Sequence, residues 1–255
     1  MNSQSKTIRL NKFLAERLGV SRREADELIA AGKVLIDEKP AALGARIDKN
    51  SKVCYNKKII PFETDYLYIA FNKPVGYVCS RRAQGDTPTL YELLPKEYQI
   101  LKTVGRLDKD SSGLILLTND GDFAYQMTHP KFHKEKVYEV TLDRPLEPLH
   151  QQMISDYGVM LDDGPSKFTV VTSAGDVAGG TPAAHRRKPS TVGEAAMAGP
   201  VERTHFTVIL AEGRNRQIRR TFAALGYRVI ALHRVQFGKY QLSGLKPGKY
   251  VTIKA

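Results

Sequence analysis

The apolar positions change period several times along the chain, and each change marks an element. Leu10, Phe13, Leu14 and Leu18 recur at helical spacing up to Gly19, which predicts a short first helix. Ser21 stands three residues before Glu24, the spacing of a capping box, so a second helix starts there. Ala25, Leu28 and Ile29 form its apolar face and Gly32 ends it. Residues 34–36 and 51–55 then read as short strands. Further on, 66–71 alternates as a strand, closed by a turn at 72–77, and 90–94 is a short helix or turn. The apolar run 114–117 lies between two polar, glycine-punctuated turns and predicts a buried strand. Residues 121–127 read as a helix that His129-Pro130 terminates. Period-two alternation predicts a strand at 136–142, followed by a helix at 149–154 and paired strands at 167–171 and 205–210. A helix at 217–225, stopped by Gly226, precedes strands at 229–232 and 251–253. This order predicts an α+β chain. A small helix-helix-strand unit (1–60) leads into a larger unit (64–255) with a mixed, largely antiparallel sheet flanked by helices.

One stretch breaks the pattern. Residues 173–203 hold five Gly, seven Ala and three Pro and no Phe, Tyr or Trp. Such a composition buries too little apolar surface to offset ordering entropy, which predicts a flexible insertion between two paired strands.

Charge narrows the class of partner. The net charge is +12, and residues 1–60 alone carry 13 Lys/Arg against 7 Asp/Glu, half of that excess. This points to a polyanion, most often nucleic acid. Arg9, Lys12, Arg17, Arg22, Arg23 and Lys33 cluster on or beside the two predicted helices. Such side chains can straddle phosphates, or simply solvate a helix face. No apolar run approaches a membrane span, and the polar first residues lack the core of a secretory signal. Two cysteines, Cys54 and Cys79, lack metal-ligand spacing and read as free thiols of a cytoplasmic protein.

Several familiar sites are excluded. The stretch from Asp108 resembles the first half of a calcium loop, but its twelfth position is Asn119 rather than Glu. His129 and His133 are separated by the helix-breaking Pro130, so no metal site is expected. There is no phosphate-cradling glycine loop and no dinucleotide fingerprint, so the chemistry is expected to need no cofactor. What remains is a carboxylate on a turn that enters the sheet. Asp108 is either half of an ion pair that fixes the turn or a reactive group, as nucleophile or general base. A guanidinium would keep it ionised, and Arg219 in the basic segment 212–220 is a candidate. Tyr138 could stack on a flat substrate or serve the core; Arg106 could brace Asp110 across the turn.

Two resemblances sharpen this. Ile8-Arg9-Leu10-Asn11-Lys12-Phe13-Leu14-Ala15, Ser21-Arg22-Arg23-Glu24-Ala25-Asp26 and Gly32-Lys33-Val34 resemble the alpha-L RNA-binding motif of the ribosomal protein S-four type, over residues 7–55. Gly105-Arg106-Leu107-Asp108, Ser112-Gly113-Leu114, Leu117-Thr118-Asn119-Asp120-Gly121, Lys136-Val137-Tyr138-Glu139 and Glu212-Gly213-Arg214-Asn215-Arg216-Gln217-Ile218-Arg219-Arg220 are similar, in order, to the motifs of the ribosomal small-subunit pseudouridine synthase A family, which includes large-subunit enzymes. The resemblance implies that a uridine of ribosomal RNA, free or in a pre-ribosomal particle, is isomerised without a cofactor; a monomer is expected. Asp108 would attack the ribose or the uracil ring. Tyr138 would stack on the base and take the proton from carbon 5, Arg219 would pair with Asp108, Ile218 would pack on the base, and Arg106 would contact RNA beside it. Arg9, Lys12, Arg22 and Arg23 would bind RNA elsewhere, and a large-subunit substrate is slightly favoured. The alternative is a ribosome-assembly factor that kept the fold and binds RNA without catalysis.

Overall fold

A computed structural model of the chain describes residues 7–81, 84–172 and 204–255. The expected insertion at 173–203 lies outside the described residues.

The N-terminal unit is built on helices Leu10–Arg17 and Arg22–Ala30. Ser21 caps the second with both halves of the capping box in place: the Glu24 amide donates to Ser21 Oγ at 3.1 Å, and the Ser21 amide to Glu24 Oε2 at 2.7 Å. Phe13, Leu14, Ala25 and Ile29 meet Val34, Ile47 and Val53 in one buried cluster. Its sheet runs Lys39–Pro40, Val34–Ile36, Val53–Tyr55, Lys58–Ile59, all antiparallel. The hairpin turns at Asp37-Glu38 and Asn56-Lys57 each place two successive residues at positive φ, the backbone a two-residue hairpin of matching twist requires.

The larger unit is organised on one mixed sheet. Its strands run Thr169–Thr172, His205–Leu210, Lys136–Leu142, Val229–Phe237, Ser112–Thr118, Tyr68–Lys73, Tyr250–Thr252. Among these strands, only Val229–Phe237 and Ser112–Thr118 pair in parallel, and only over His233↔Ser112 and Arg234↔Gly113. Gly113 allows this close approach. A Cβ there would lie 2.3 Å from the Arg234 carbonyl oxygen, and its φ of +105° suits glycine alone. Ser112–Thr118 is covered on both faces. Leu114 and Leu116 pack with Met127 of helix Gly121–Thr128; Ile115 and Leu117 pack in the cluster that holds Ile218 and Phe222 of helix Gln217–Ala224. Each such side chain contributes roughly 1.5–3 kcal/mol by burial.

Several elements differ from the sequence pattern. The turn expected at 72–77 begins two residues later, because Asn72 and Lys73 belong to strand Tyr68–Lys73, and the strands Lys102–Val104, Val159–Leu161 and Gly164–Ser166 are too short to show in the pattern. The strand expected at 229–232 continues to Phe237, because polar Arg234 is itself buried. The helix expected at 149–154 is a short helix, Pro148–Gln152, that widens into a π-turn at Met153–Tyr157. The two units are tied by specific contacts. Lys12 Nζ lies 2.6 Å from Asp122 Oδ1, Lys102 Nζ donates to the Ala15 carbonyl at 2.9 Å, and Arg81 Nη1 to that of Gly19 at 2.6 Å. Among the described residues, no helix is long and apolar enough to cross a membrane.

Candidate active site

The turn between strands Lys102–Val104 and Ser112–Thr118 carries Asp108, and bonds hold it from several sides. The Ser111 amide closes the turn onto the Asp108 carbonyl at 3.1 Å, and the Gly76 amide donates to the Lys109 carbonyl at 2.8 Å. Cys79 Sγ and the Leu107 backbone exchange two bonds of 3.3 Å. Beneath them lies Lys73, fully buried, whose Nζ donates to the Ser111 carbonyl at 2.7 Å and the Pro74 carbonyl at 3.0 Å. Burial pushes its pKa down, against the charges of Cys79, Asp108 and Asp110. Lys73 is therefore a peg under the turn.

Above the turn opens a cavity of about 280 Å³. Arg106, Asp108, Tyr138 and Ile218, four residues singled out from the sequence, all line it. They come from different elements: the turn, strand Lys136–Leu142 and helix Gln217–Ala224. Tyr138 and Ile218 are buried, Asp108 is half-buried, and Arg106 is exposed. A carboxylate facing a tyrosine ring and an aliphatic side chain can receive a flat, uncharged ring and present it to an oxygen nucleophile.

The expected pairing of Arg219 with Asp108 is not what the structure contains. Arg219 donates to the Asp110 carbonyl and the Val229 carbonyl, both at 2.8 Å. Its Nε lies 3.3 Å from Asp110 Oδ2 but is too poorly aligned for a hydrogen bond. Those backbone anchors turn the guanidinium towards Asp110. Arg216 sits beside Asp108 instead, with Nη1 3.6 Å from Asp108 Oδ2, while it grips the Asp110 carboxylate through two bonds of 3.0 Å. Asp110 is thus more than a turn residue, and Arg106 is not its partner. The hydrogen bond from Arg216 holds the Asp110 carboxyl below its ordinary range, and raises Arg216 in turn. Arg216 stands just before the helix at φ +47°, a left-handed conformation that costs a non-glycine residue roughly 1–2 kcal/mol. Strain at that point aims its guanidinium back at the two aspartates.

Sequence reasoning passed over Arg216, Lys136 and Arg234, which also line the cavity. Lys136 donates to the carbonyls of Lys134 at 3.2 Å and Glu212 at 3.3 Å. Burial, then the positive charge of Arg234, brings its pKa down to about 8. The signal for Arg234 was a lone cation three residues before Phe237 in an otherwise strand-like run, easily taken for the end of the strand. In the N-terminal unit Arg9, Arg22 and Arg23 are exposed. Lys12 is engaged between Asp122 and Glu16, at 2.6 and 3.9 Å.

Comparison with known proteins agrees with this architecture. The RNA pseudouridylate synthase family model matches residues 67–224, and the S4 domain model matches 8–53. Ribosomal small subunit pseudouridine synthase A of Pasteurella multocida is 32% identical over 253 residues, covering 97% of both chains. The Escherichia coli K12 protein of that name is 33% identical, covering 95% of both. Ribosomal large subunit pseudouridine synthase B of Pseudomonas aeruginosa is 33% identical over 95% of this chain and 58% of its own. A crystal structure of a pseudouridylate synthase superposes with a TM-score of 0.62 at 28% identity, covering 97% of this chain and 96% of the other. An S4 domain followed by a mixed sheet with a carboxylate-bearing cavity defines an RNA-modifying enzyme. In particular, the chain belongs to the RNA pseudouridylate synthase family.

Proposed function

We propose that the protein isomerises one uridine of ribosomal RNA to pseudouridine, with Asp108 as nucleophile and no cofactor. One observation carries the reading: Asp108 shares a cavity with Tyr138 and Ile218 while Arg216 stands beside its carboxylate. The target base leaves its stack and enters the cavity, at a cost of a few kcal/mol that stacking and phosphate contacts offset. Tyr138 and Ile218 hold the uracil between them, and Arg106 at the exposed rim takes RNA beside the flipped nucleotide. Asp108 forms a bond to ribose carbon 1′ or to the uracil ring. The carbon–nitrogen glycosidic bond breaks, the retained uracil turns, and carbon 5 bonds to carbon 1′. The carboxylate departs and the carbon 5 proton leaves by way of Tyr138. No external group or electron is consumed, so the balance needs no cofactor. Arg216 faces the Asp108 carboxylate and orients it towards the substrate, and Arg219 braces the turn through Asp110.

Residues 1–60 act as the RNA-binding domain and 64–255 as the catalytic domain. Arg9, Arg22 and Arg23 grip phosphates, while Lys12 ties the two domains through Asp122. Ribosomal RNA as substrate rests on the names of the relatives. A preference for the large subunit gains no support, because relatives named for either subunit match at similar identity. The enzyme works as a monomer in the cytoplasm. Mapping pseudouridines in ribosomal RNA from cells with and without the protein tests the proposal. One site should disappear with it; an unchanged map would overturn the substrate.

A further inference from the structure

Arg234 is a buried cation without a counter-charge. It is 2% exposed, and its Nε donates to the Leu114 carbonyl at 2.7 Å. Its Nη2 has no hydrogen-bond partner, and among the described residues no carboxylate forms an ion pair with it. The rings of Phe237 and Tyr138 flank its Cζ at 4.8 and 6.0 Å, which is partial compensation only. A second orphan, the Oγ of buried Ser111, belongs to a residue that lines the same cavity. Lys136 adds another cation there, and the Arg234 charge contributes to its depressed pKa. Asp108, the carboxylate in the cavity, is next to Arg216. The Leu114 carbonyl and the two rings repay the desolvation of the Arg234 guanidinium only in part, so the remaining counterpart arrives with the substrate.

We infer that Arg234 is a further catalytic residue, donating Nη2–H to a carbonyl oxygen of the flipped uracil and taking up the negative charge that forms there. The inference rests on the function proposed above. It holds for either course of attack. If Asp108 bonds to carbon 1′, the electron pair of the carbon–nitrogen bond leaves on uracil, and the charge spreads over nitrogen 1 and both carbonyl oxygens. If Asp108 adds to ring carbon 6, the electron pair of the 5,6 double bond moves to oxygen 4 as an enolate. In both, carbon 5 later bonds to carbon 1′, the carboxylate leaves, carbon 5 loses its proton and nitrogen 1 gains one, so the ring ends neutral. The charge exists only between these steps. A donor fixed in a dry wall therefore binds the transition state more strongly than the substrate. A backbone phosphate is the less suitable partner: it carries its charge throughout, and exposed Arg106 stands at the rim to meet it.

The test uses the full chain on a ribosomal RNA transcript carrying uridine or 5-fluorouridine at the target. Carbon 5 of the latter bears fluorine in place of the proton the last step removes, so the single-turnover rate read on both is that of cleavage of the glycosidic carbon–nitrogen bond, which precedes that step. Fluorine makes a negative ring more stable without help from the protein. Arg234→Gln should lower the single-turnover rate on uridine by about 10²–10³-fold, with RNA affinity retained. The loss should be about tenfold smaller on 5-fluorouridine, where less charge stabilisation is needed. Equal losses on the two substrates would mean a structural role and overturn the inference, as would weakened RNA binding with an unchanged rate. Thermal melting checks the fold. Should Arg234→Gln not fold, Arg234→Lys, which keeps the charge but loses the planar fork, is read by the same substrate comparison. Wild-type protein that makes no pseudouridine would refute the proposed function itself. Active wild type with an equally active Arg234→Gln would refute this inference alone.

Discussion

Gly113→Ala puts the geometry of the site under direct test. Gly113 is where the two halves of the sheet meet, paired with Lys73 on one side and Arg234 on the other. A Cβ there would stand 2.3 Å from the Arg234 carbonyl oxygen, 2.6 Å from its nitrogen and 2.9 Å from its carbonyl carbon. All three are backbone atoms, so no rotamer change relieves them. Relief requires the parallel junction to part, which loses about two ladder hydrogen bonds worth roughly 1 kcal/mol each. The positive φ adds about 1–2 kcal/mol. The expected destabilisation is therefore about 3–4 kcal/mol, a large share of the roughly 5–15 kcal/mol that holds a domain together. Gly44→Ala is the control: its φ is +79° and nothing lies within 4 Å of its Cβ position, so it bears the backbone strain alone. Urea unfolding of both variants, followed by pseudouridine assay at low denaturant, separates the two contributions. Gly113→Ala should be about 2 kcal/mol less stable than Gly44→Ala and lose activity as the Asp108 turn shifts. If the two are equally stable, the crowding argument is wrong.

Lys136 should leave a pH signature. Its folded pKa of about 8 lies below its ordinary 10.5, so the unfolded chain binds more protons between those values and stability rises with pH across that window. Between pH 7 and 10.5 the stability of wild type relative to Lys136→Met should therefore increase, by on the order of 2 kcal/mol once solvent screening is discounted; a difference independent of pH would contradict the assignment. In the N-terminal domain, replacing Arg22 and Arg23 together by Gln should weaken RNA binding and flatten the plot of log affinity against log salt by about 1.5–2 units; parallel plots would remove both from the phosphate contacts.

Much of this fold is written in local patterns. The Ser21/Glu24 capping box forms as its spacing requires, and the apolar run at 114–117 is an interior strand because both faces of the sheet need apolar cover there. The motif residues Asp108, Tyr138 and Ile218 converge on one cavity although 110 residues separate the first from the last. What local pattern could not carry was partner choice among charges. Arg216 and Arg219 are one helical turn apart and alike in sequence. Their division of labour follows from the left-handed backbone at Arg216 and from the carbonyls of Asp110 and Val229 that anchor Arg219. Arg234 was hidden for a related reason. A cation in a strand reads as exposed, yet here the aromatic rings of Phe237 and Tyr138 and the Leu114 carbonyl take it inside. Both are tertiary effects, in which distant backbone decides what a side chain of given chemistry does.

The central claim is that the Asp108 carboxylate performs the isomerisation. Asp108→Asn is nearly isosteric, and the turn around it is held by backbone bonds, Cys79 and Lys73 rather than by this side chain. The decisive measurement is single-turnover pseudouridine formation by this variant on a ribosomal RNA transcript, with affinity for the same transcript measured alongside. The rate should fall by roughly 10⁴-fold or more, at unchanged affinity. An Asn variant that still forms pseudouridine at the wild-type rate would contradict the claim.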